Sequence, residues 1–403
     1  MKPGYKTLFL LATLATCLAR LPAQASSLAD ALEHAWTRHP QATALDARIS
    51  EAKAHAEMAA ALTPGPAALS LGHLNDTLGS NRGKREWEVE LAVPLWLPGQ
   101  KNLQAVHAAS IQHEIDTHRA ALRLELAGEL RSAWWSLAAA RQSNDLAQRR
   151  QNSARTLEAD VMRRYQAGDL ARVDANHARS ERLAAQSESM AAANALRHAE
   201  AAWRGLTGLA APIQLDAETP AKPSESGAEH PALAALTSTV QVANARLRQV
   251  QSSTREAPEI AVRLQRERGD SGEAYGNSIG VQLTIPFTSG PRQRRDNAAA
   301  LAVAHQAEAM QLRASQRLLQ AIEQARLELD MAQQQWSLAQ ARQEFAADTL
   351  ALAEKSFSLG EADLPLLLRA RTAAFEAEAV LNRQATARGQ ANAQLKQALG
   401  QMP

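Results

Sequence analysis

Cysteine is almost absent from this sequence, and aromatic residues and long apolar runs are scarce. One cysteine among 403 residues excludes a disulfide framework and a thiolate metal site. Aromatic residues make up 4% and alanine dominates the 45% apolar fraction, so the sequence predicts thin packing between long helices rather than a thick globular core. The formal net charge of +2 is too balanced to indicate nucleic-acid binding. Beyond the N-terminus, no apolar run reaches the ~20 residues of a membrane-spanning helix.

The first 25 residues are typical of an export signal. Lys2 and Lys6 precede an apolar stretch, and the small-residue motif Ala23-Gln24-Ala25 predicts cleavage after Ala25. Cys17 lies inside this segment, in a context that looks somewhat like a lipoprotein cleavage box. Lipid attachment at Cys17 is therefore the alternative to cleavage after Ala25.

The rest of the chain contains a duplication. His39-Pro40 recurs as His230-Pro231, and the segment 91–95 recurs as 283–287. Tyr165 to Asp169 recurs as Phe357 to Glu361. A nearly constant offset over the whole length indicates two copies of one long unit. We expect a first repeat over 26–209, a linker rich in proline, serine and glycine over 210–230, and a second repeat over 231–403.

Each copy is predicted to contain a helix, two strands, a very long helix and a returning helix. Alternation of apolar and polar residues indicates the strands, and proline-glycine pairs indicate the breaks. The predicted strands are about 67–75, 86–95, 258–268 and 277–287, and the predicted helices are about 27–62, 100–166, 170–206, 231–255, 292–357 and 364–399.

The strand pattern predicts an inside-out sheet. Each strand pair stands beside helices far too long to fold back and cover it, while the polar face carries Glu88, Glu90 and Arg263, which need water. We therefore expect the polar face to line a wet lumen and the apolar face to meet lipid. The residues predicted to face lipid are Trp87, Val89, Leu91, Val281 and Leu283. Four strands cannot close a barrel, so several chains must contribute, and three chains give twelve strands.

Three motifs together resemble the TolC family of outer-membrane efflux channels. They are the strand-to-helix signatures Val93 to Gly99 and Ile285 to Gly290, and the turn Tyr165 to Gly168 followed by Asp174. With the duplication, the resemblance covers the whole mature chain. The form Pro-Leu-Trp-Leu-Pro-Gly-Gln-Lys looks nearest to the cobalt–zinc–cadmium resistance branch.

The resemblance implies a fold, a location and partners. The expected fold is mainly helical with a membrane β-barrel: a homotrimer with a twelve-stranded barrel in the outer membrane, four strands per chain, and a long helical tunnel extending into the periplasm. The expected role is a passive, non-enzymatic and cofactor-free exit duct of a tripartite system. Its partners would be outer-membrane lipid, a periplasmic adaptor (a membrane fusion protein) and an inner-membrane pump of the RND type, with heavy-metal cations as cargo and no nucleic acid.

The resemblance also assigns roles to residues at the two hairpin turns. The expected adaptor contacts are Gly168, Asp169, Leu170, Gly360, Glu361 and Asp363. Asp174 matches a family position that helps close the periplasmic aperture, and we expect Arg369 to pair with Asp174 of a neighbouring hairpin. A purely local role for these acids, as helix caps and first-turn charges, is the competing interpretation. On that interpretation Asp169 and Asp363 cap the returning helices.

Other functions stay open at this point. A drug-efflux channel or a type I protein secretion channel has the same architecture, and a periplasmic coiled-coil scaffold or adaptor is a further alternative. The sequence contains no P-loop, no G-x-S-x-G and no H-E-x-x-H motif, so an enzyme is not favoured.

Overall fold

The computed structural model describes residues 27–212, 218–221, 230–253, 255–287 and 290–403. The predicted export signal with Cys17, and most of the predicted linker, lie outside the described residues. The elements in chain order are α1 Leu28–Arg38, α2 Pro40–Ala60, β1 Ala68–Asn75, β2 Arg85–Pro94, α3 Gln100–Ala167, α4 Arg172–Thr207, α5 Pro231–Ser252, β3 Glu259–Arg268, β4 Gly276–Thr284, α6 Gly290–Ser358 and α7 Leu364–Ala398.

The first predicted helix is two helices. Ser27 caps α1 as expected, because its side chain accepts a hydrogen bond from the Asp30 N–H at 3.1 Å. The continuous helix predicted to Leu62 is wrong, since His39 adopts an extended conformation between α1 and α2. Proline disfavours helical geometry in the preceding residue and has no N–H to donate, so Pro40 ends α1 and begins α2.

Two helices, α3 and α6, run the length of the helical part. Each has nearly 70 residues, which at 1.5 Å per residue gives roughly 100 Å. At the strand end they form a layer in the order α2-α3-α5-α6, and at the far end the order is α4-α3-α7-α6. Within the described part of the chain, no helix combines the length and the apolarity that crossing a membrane requires.

Alanine makes this thin layer possible. The buried side of α6 is mostly alanine, including Ala325, Ala332 and Ala339 at seven-residue spacing. Small side chains at heptad spacing let the helix backbones approach closely. Gly389 of α7 extends the same rule, because a Cβ there would overlap the Trp135 ring on α3.

A single antiparallel sheet joins the two repeats. Its strand order is β1-β2-β3-β4, so the contact between copies is the pairing of β2 with β3. Observed strand bounds lie within one residue of the predictions, except that β4 ends at Thr284 rather than at Phe287. Thr284 lies opposite Glu259, where β3 begins, so β4 has no partner strand beyond it.

One of two clusters of large buried side chains lies in the middle of the helical part. Trp134 of α3 packs against Trp203 of α4 with ring centroids 5.4 Å apart, and α1 covers both helices with Leu28 and Leu32. This is the position where α3 and α4 have a third helix to pack against.

A buried ion cluster lies near this core. Arg131 of α3 donates two hydrogen bonds of 3.0 Å to Glu218, from the segment between the repeats. Lys396 of α7 donates to the same carboxylate at 3.1 Å, and Arg131 also reaches the Gln397 side chain and the Gln401 carbonyl. All three charged side chains are at least nine-tenths buried. One carboxylate therefore compensates two buried cations and ties the inter-repeat segment to both copies.

We expect Glu218→Gln to lower the free energy of unfolding by about 3–5 kcal/mol, because it leaves Arg131 and Lys396 buried without an anion. The matched control is Glu378→Gln, which removes an ion pair with the largely exposed Arg149 and should cost at most ~1 kcal/mol. Denaturant titrations followed by circular dichroism give both values. Equal losses in the two variants would contradict a special role for the cluster.

Candidate functional sites: the sheet faces and the hairpin turns

The sheet has two chemically different faces. The register aligns Leu69, Leu91, Val262 and Val281 in one cross-strand row, and aligns Leu71, Val89, Leu264 and Ile279 in another. These side chains are exposed in the single chain. The five side chains predicted to meet lipid, Trp87, Val89, Leu91, Val281 and Leu283, all lie on this apolar face.

The opposite face is polar and mostly acidic. Arg263 is within 2.8 Å of Glu88 and 2.6 Å of Glu90, so the three residues predicted to line the lumen are in direct contact. Glu86 accepts a hydrogen bond from Gln265 on the same face at 2.6 Å. The face also carries Glu259 and Glu267, so its carboxylates outnumber its one arginine.

The turns after α3 and α6 have the same geometry. Gly168 and Gly360 have φ values of 89° and 77°. The next residue in each turn, Asp169 or Glu361, donates its backbone N–H back across the turn at 2.9 Å. The glycine N–H groups also donate, from Gly168 to the Tyr165 carbonyl at 3.1 Å and from Gly360 to the Phe357 carbonyl at 3.2 Å. A left-handed glycine with these two backbone hydrogen bonds is the Schellman arrangement. Both turns lie at the predicted positions, and both glycines have the left-handed conformation that favours glycine. Their location at a periplasmic tip stays a prediction.

The returning helices begin differently in the two copies. Asp363 caps α7, since its side chain accepts from the Leu366 N–H at 2.9 Å. The predicted cap at Asp169 is wrong: α4 begins at Arg172, and its N-cap residue is Ala171. The Asp169 N–H belongs to the preceding turn, where it donates to the Arg164 carbonyl. Two more residues follow Asp169 before α4 begins at Arg172.

The two residues of the predicted gate have local partners within the chain. Asp174 accepts a hydrogen bond from the Ala171 N–H at 3.2 Å, which is the role expected of a first-turn acid. Arg369 donates to the Pro365 carbonyl at 3.3 Å. Among the described residues, no ion pair joins Arg369 to Asp174. Their pairing between neighbouring chains stays a prediction.

The two turns belong to one packed end. Arg164 lies over the Phe357 ring at 5.0 Å and joins the α3 hairpin to the α6 hairpin. Leu157, Val161, Leu364 and Leu367 fill the core beneath, and Leu170 packs against it. Val173, Leu359 and Leu366 stay exposed beside the turns. This end is therefore a packed unit with several uncovered apolar side chains on its surface.

Helix α6 has an exposed apolar seam that the sequence analysis does not predict. Met331, Leu338, Phe345 and Leu352 recur every seven residues and are all more than half exposed, with Phe345 at 76%. They form a seam, called here the outer seam of α6, next to the buried alanine seam. The signal was the heptad spacing of large apolar residues, which the abundance of alanine obscured.

Comparisons with known proteins agree with this architecture. Residues 223–401 match the family described as outer membrane efflux protein. No curated relative matches the chain. A membrane protein from Pseudomonas aeruginosa is similar in structure, with a TM-score of 0.75 and 20% identity over 100% of this chain and 97% of that one.

Two further solved structures have the same fold. The outer membrane protein VceC from Vibrio cholerae has a TM-score of 0.74 and 16% identity, covering 93% of this chain and 96% of VceC. The CmeC outer membrane channel of Campylobacter jejuni has a TM-score of 0.73 and 14% identity, covering 93% and 85%. The predicted fold class, mainly helical with four antiparallel strands per chain in a duplicated order, is confirmed.

Replacing Gly168 and Gly205 by alanine should change stability in opposite directions. A Cβ added at either position meets no atom within 4 Å, so neither substitution causes a clash. The two sites differ in backbone conformation, which is left-handed at Gly168 and helical at Gly205. Gly168→Ala forces alanine into a left-handed conformation and should destabilise the turn by about 1 kcal/mol, whereas Gly205→Ala, inside α4, should stabilise by about 0.5–1 kcal/mol. Hydrogen exchange of the adjacent helix turns measures both effects. A stabilising Gly168→Ala would contradict the assigned geometry.

Proposed function

We propose that this chain is the outer-membrane channel of a tripartite efflux system, in which three copies form a passive, non-enzymatic exit duct. The observation that carries the proposal is the two-faced four-stranded sheet, with open edges, attached to helices about 100 Å long. The match of residues 223–401 to the outer membrane efflux protein family supports it. So does the fold shared with solved outer-membrane channels.

The sheet supports closure by several chains. Within the described residues, β1 and β4 each pair on one side only, and unpaired edges are not tolerated in hydrocarbon. Three copies of four strands make a twelve-stranded barrel with the acidic face inward. Exposed aromatic side chains flank the apolar face, with Trp87 near the loop end and Phe287 beyond the helix end of β4, as expected for interfacial girdles.

The helices support the same assembly. The outer seam of α6 is uncovered along one edge of the helical layer, and α4 and α2 form the opposite edge. The exposed Leu183 and Met190 give α4 an apolar side of its own. We infer that the outer seam packs against the α4 edge of the next copy, so that three layers close into a tunnel.

The hairpin turns are the proposed docking surface for a periplasmic adaptor, which links the duct to an inner-membrane pump of the RND type. The adaptor would contact the surface around Gly168, Asp169 and Leu170 and its counterpart around Gly360, Glu361 and Asp363. The exposed Val173, Leu359 and Leu366 support this assignment, because exposed apolar side chains that lie together mark interaction sites.

The proposed cargo is heavy-metal cations. The excess of glutamate over arginine on the polar face favours cations inside a lumen, and the signature Pro94 to Lys101 resembles the cobalt–zinc–cadmium resistance branch. Export of drugs or proteins would use the same architecture, so cargo is an outcome of the experiment rather than a consequence of the fold.

The test is to express the chain with its natural signal and to separate the membranes. We expect the protein in the outer membrane, running as a heat-sensitive trimer in detergent and conducting ions in planar bilayers. Recovery in osmotic-shock fluid without conductance would overturn the channel and favour a periplasmic scaffold. Deletion should raise sensitivity to cobalt, zinc or cadmium; sensitivity to drugs alone would overturn the metal cargo only.

Phe345→Asp should prevent trimer formation, because it places a charge in the outer seam of α6 once per chain. Burial of such a side chain contributes about 1.5–3 kcal/mol per copy, and a buried unpaired carboxylate adds a further cost. Phe345→Leu is the matched control and should assemble. Electrophoresis of unheated samples distinguishes the two variants. Wild-type amounts of Phe345→Asp trimer would contradict the assigned interface.

The inside-out sheet is tested by paired arginine substitutions on β2. Val89→Arg should cost ~2–4 kcal/mol if the residue faces lipid near mid-bilayer depth, and should reduce assembly. Glu88→Arg, one residue away on the opposite face, should assemble and mainly change conductance and ion selectivity. Equal assembly of the two variants would contradict the inside-out assignment.

A further inference from the structure

Three arginines gather at the loop end of the apolar face. Arg85 begins β2, and Arg266 and Arg268 end β3. The register places Arg268 directly opposite Arg85, and Arg266 directly opposite Trp87. We call these three residues the loop-end arginine cluster. Like charges directly opposite each other on neighbouring strands are destabilising, so this arrangement calls for a neutralising anion.

The cluster has no acidic partner among the described residues. None of its three guanidinium groups forms an ion pair there, whereas Arg263 on the opposite face is paired with two glutamates. Arg266 and Arg268 lie over the Tyr275 ring at 4.7 Å and 5.1 Å. Arg268 also donates to the Gly83 carbonyl at 3.1 Å. These contacts hold the guanidinium groups of Arg266 and Arg268 in place without neutralising them.

The acidic side chains of the two adjacent loops accept hydrogen bonds from N–H and hydroxyl groups of their own loops. Asp76 accepts from the Ser80 hydroxyl at 2.8 Å and from two backbone N–H groups. These hydrogen bonds, the Ser80 bond first, keep the pKa of the Asp76 carboxyl below its usual value. Glu273 accepts from the Gly269 N–H at 2.9 Å, and Asp270 accepts from Ser271 and Gly272. No loop carboxylate contacts the cluster.

The depth of the cluster along the strands fits a membrane interface. Trp87, with His73 stacked on it at 4.0 Å, lies one row below the charged Arg85–Arg268 row. An aromatic side chain next to a charged row is typical of the boundary between the apolar band of a membrane and its headgroups.

We propose that the loop-end arginine cluster binds the phosphate groups of phosphorylated lipids in the outer leaflet. This inference rests on the proposed function, which places the apolar face in the outer membrane with the loops outward. Arginine suits this ligand because its planar guanidinium donates two parallel hydrogen bonds to one phosphate, and the aromatic side chains one row below meet the lipid glycerol or sugar region. The bound lipid would supply the anion that the cluster lacks.

The basic residues at the other end of the sheet provide a matched control. Arg292, Arg294 and Arg295 follow β4 at the helix end, and two of them have acidic partners: Arg292 pairs with Glu256 at 3.0 Å and Arg295 with Asp296 at 2.7 Å. Replacing these three arginines removes the same number of charges from a site that is mostly neutralised within the chain.

The experiment compares wild-type trimers with the variant Arg85→Gln/Arg266→Gln/Arg268→Gln and with the control Arg292→Gln/Arg294→Gln/Arg295→Gln. Each is purified in non-ionic detergent and titrated with bisphosphorylated lipid A, dephosphorylated lipid A or inorganic phosphate. Native mass spectrometry counts bound lipid, and unheated electrophoresis gives the temperature at which the trimer dissociates.

We expect bisphosphorylated lipid A to bind the wild type and the control and to raise their dissociation temperature, while the dephosphorylated lipid has little effect. Each arginine removed from the cluster should raise the half-saturating lipid concentration roughly fivefold. Equal binding by the cluster variant would overturn the inference. Equal protection of the wild type by inorganic phosphate would overturn it too, since the site would then take a free anion.

Failure of this inference is distinguishable from failure of the proposed function. If the wild type and both variants form conducting trimers but bind lipid equally, the result supports the proposed channel and contradicts only the lipid site. If the wild type forms no membrane trimer, the proposed function falls, and with it the premise of the lipid site. Conductance of the cluster variant also shows that it has folded.

Discussion

The open edges of the four-stranded sheet are the constraint on which the rest of the molecule depends. Four strands expose backbone N–H and C=O groups on β1 and β4, and only another strand satisfies them in an apolar solvent. The sheet joins the two repeats through β2 and β3, so neither copy forms it alone. The chain is therefore organised around a sheet whose two edge strands, β1 and β4, need further strands as partners in an apolar solvent. The helical part is also incomplete in the single chain, because the outer seam of α6 is apolar and exposed.

The helical part shows how a sequence with few large residues builds a long rigid body. Alanine seams bring α3, α6 and α7 close together over many turns, and large side chains are kept for two places. One is the middle, where Trp134 and Trp203 meet under α1, and the other is the far end beneath the turns. Ion pairs between helices supplement this packing, as where Arg150 of α3 reaches Glu181 and Glu188 of α4. The cluster around Glu218 differs from these ion pairs because its charged side chains are buried and are not screened by water.

Features written in local patterns could be predicted from the sequence, and features made by distant contacts could not. Alternation of apolar and polar residues indicates the two sheet faces, so it puts Glu88, Glu90 and Arg263 on one face, where they are in contact. The turn glycines are predictable because the duplication contains them twice. The break at His39 has a local signal in Pro40, but the helix-forming residues on both sides favour one continuous helix. The cap at Asp363 was found and the one at Asp169 was not, because cap geometry depends on two residues of turn.

Other residues had no local signal. Arg131, Glu218 and Lys396 come from three separate segments, and no spacing rule connects them. The opposition of Arg85 and Arg268 depends on the strand register, which sequence alone leaves free by a residue or two. The outer seam of α6 was in principle readable as a heptad, but its exposure follows from which helices pack on the other side.

The strict alternation along β2 has a consequence for how such a chain reaches its membrane. Every residue that would touch hydrocarbon is followed by a polar or small one, as in Trp87-Glu88-Val89-Glu90-Leu91. The mean hydropathy of the segment is therefore no higher than that of an ordinary surface strand. A translocon that retains long apolar helices in the membrane would not retain this segment. The apolar surface comes into existence only when the strand is extended and paired. On the proposed function, such a chain crosses the inner membrane unfolded and acquires its affinity for the outer membrane only when it folds.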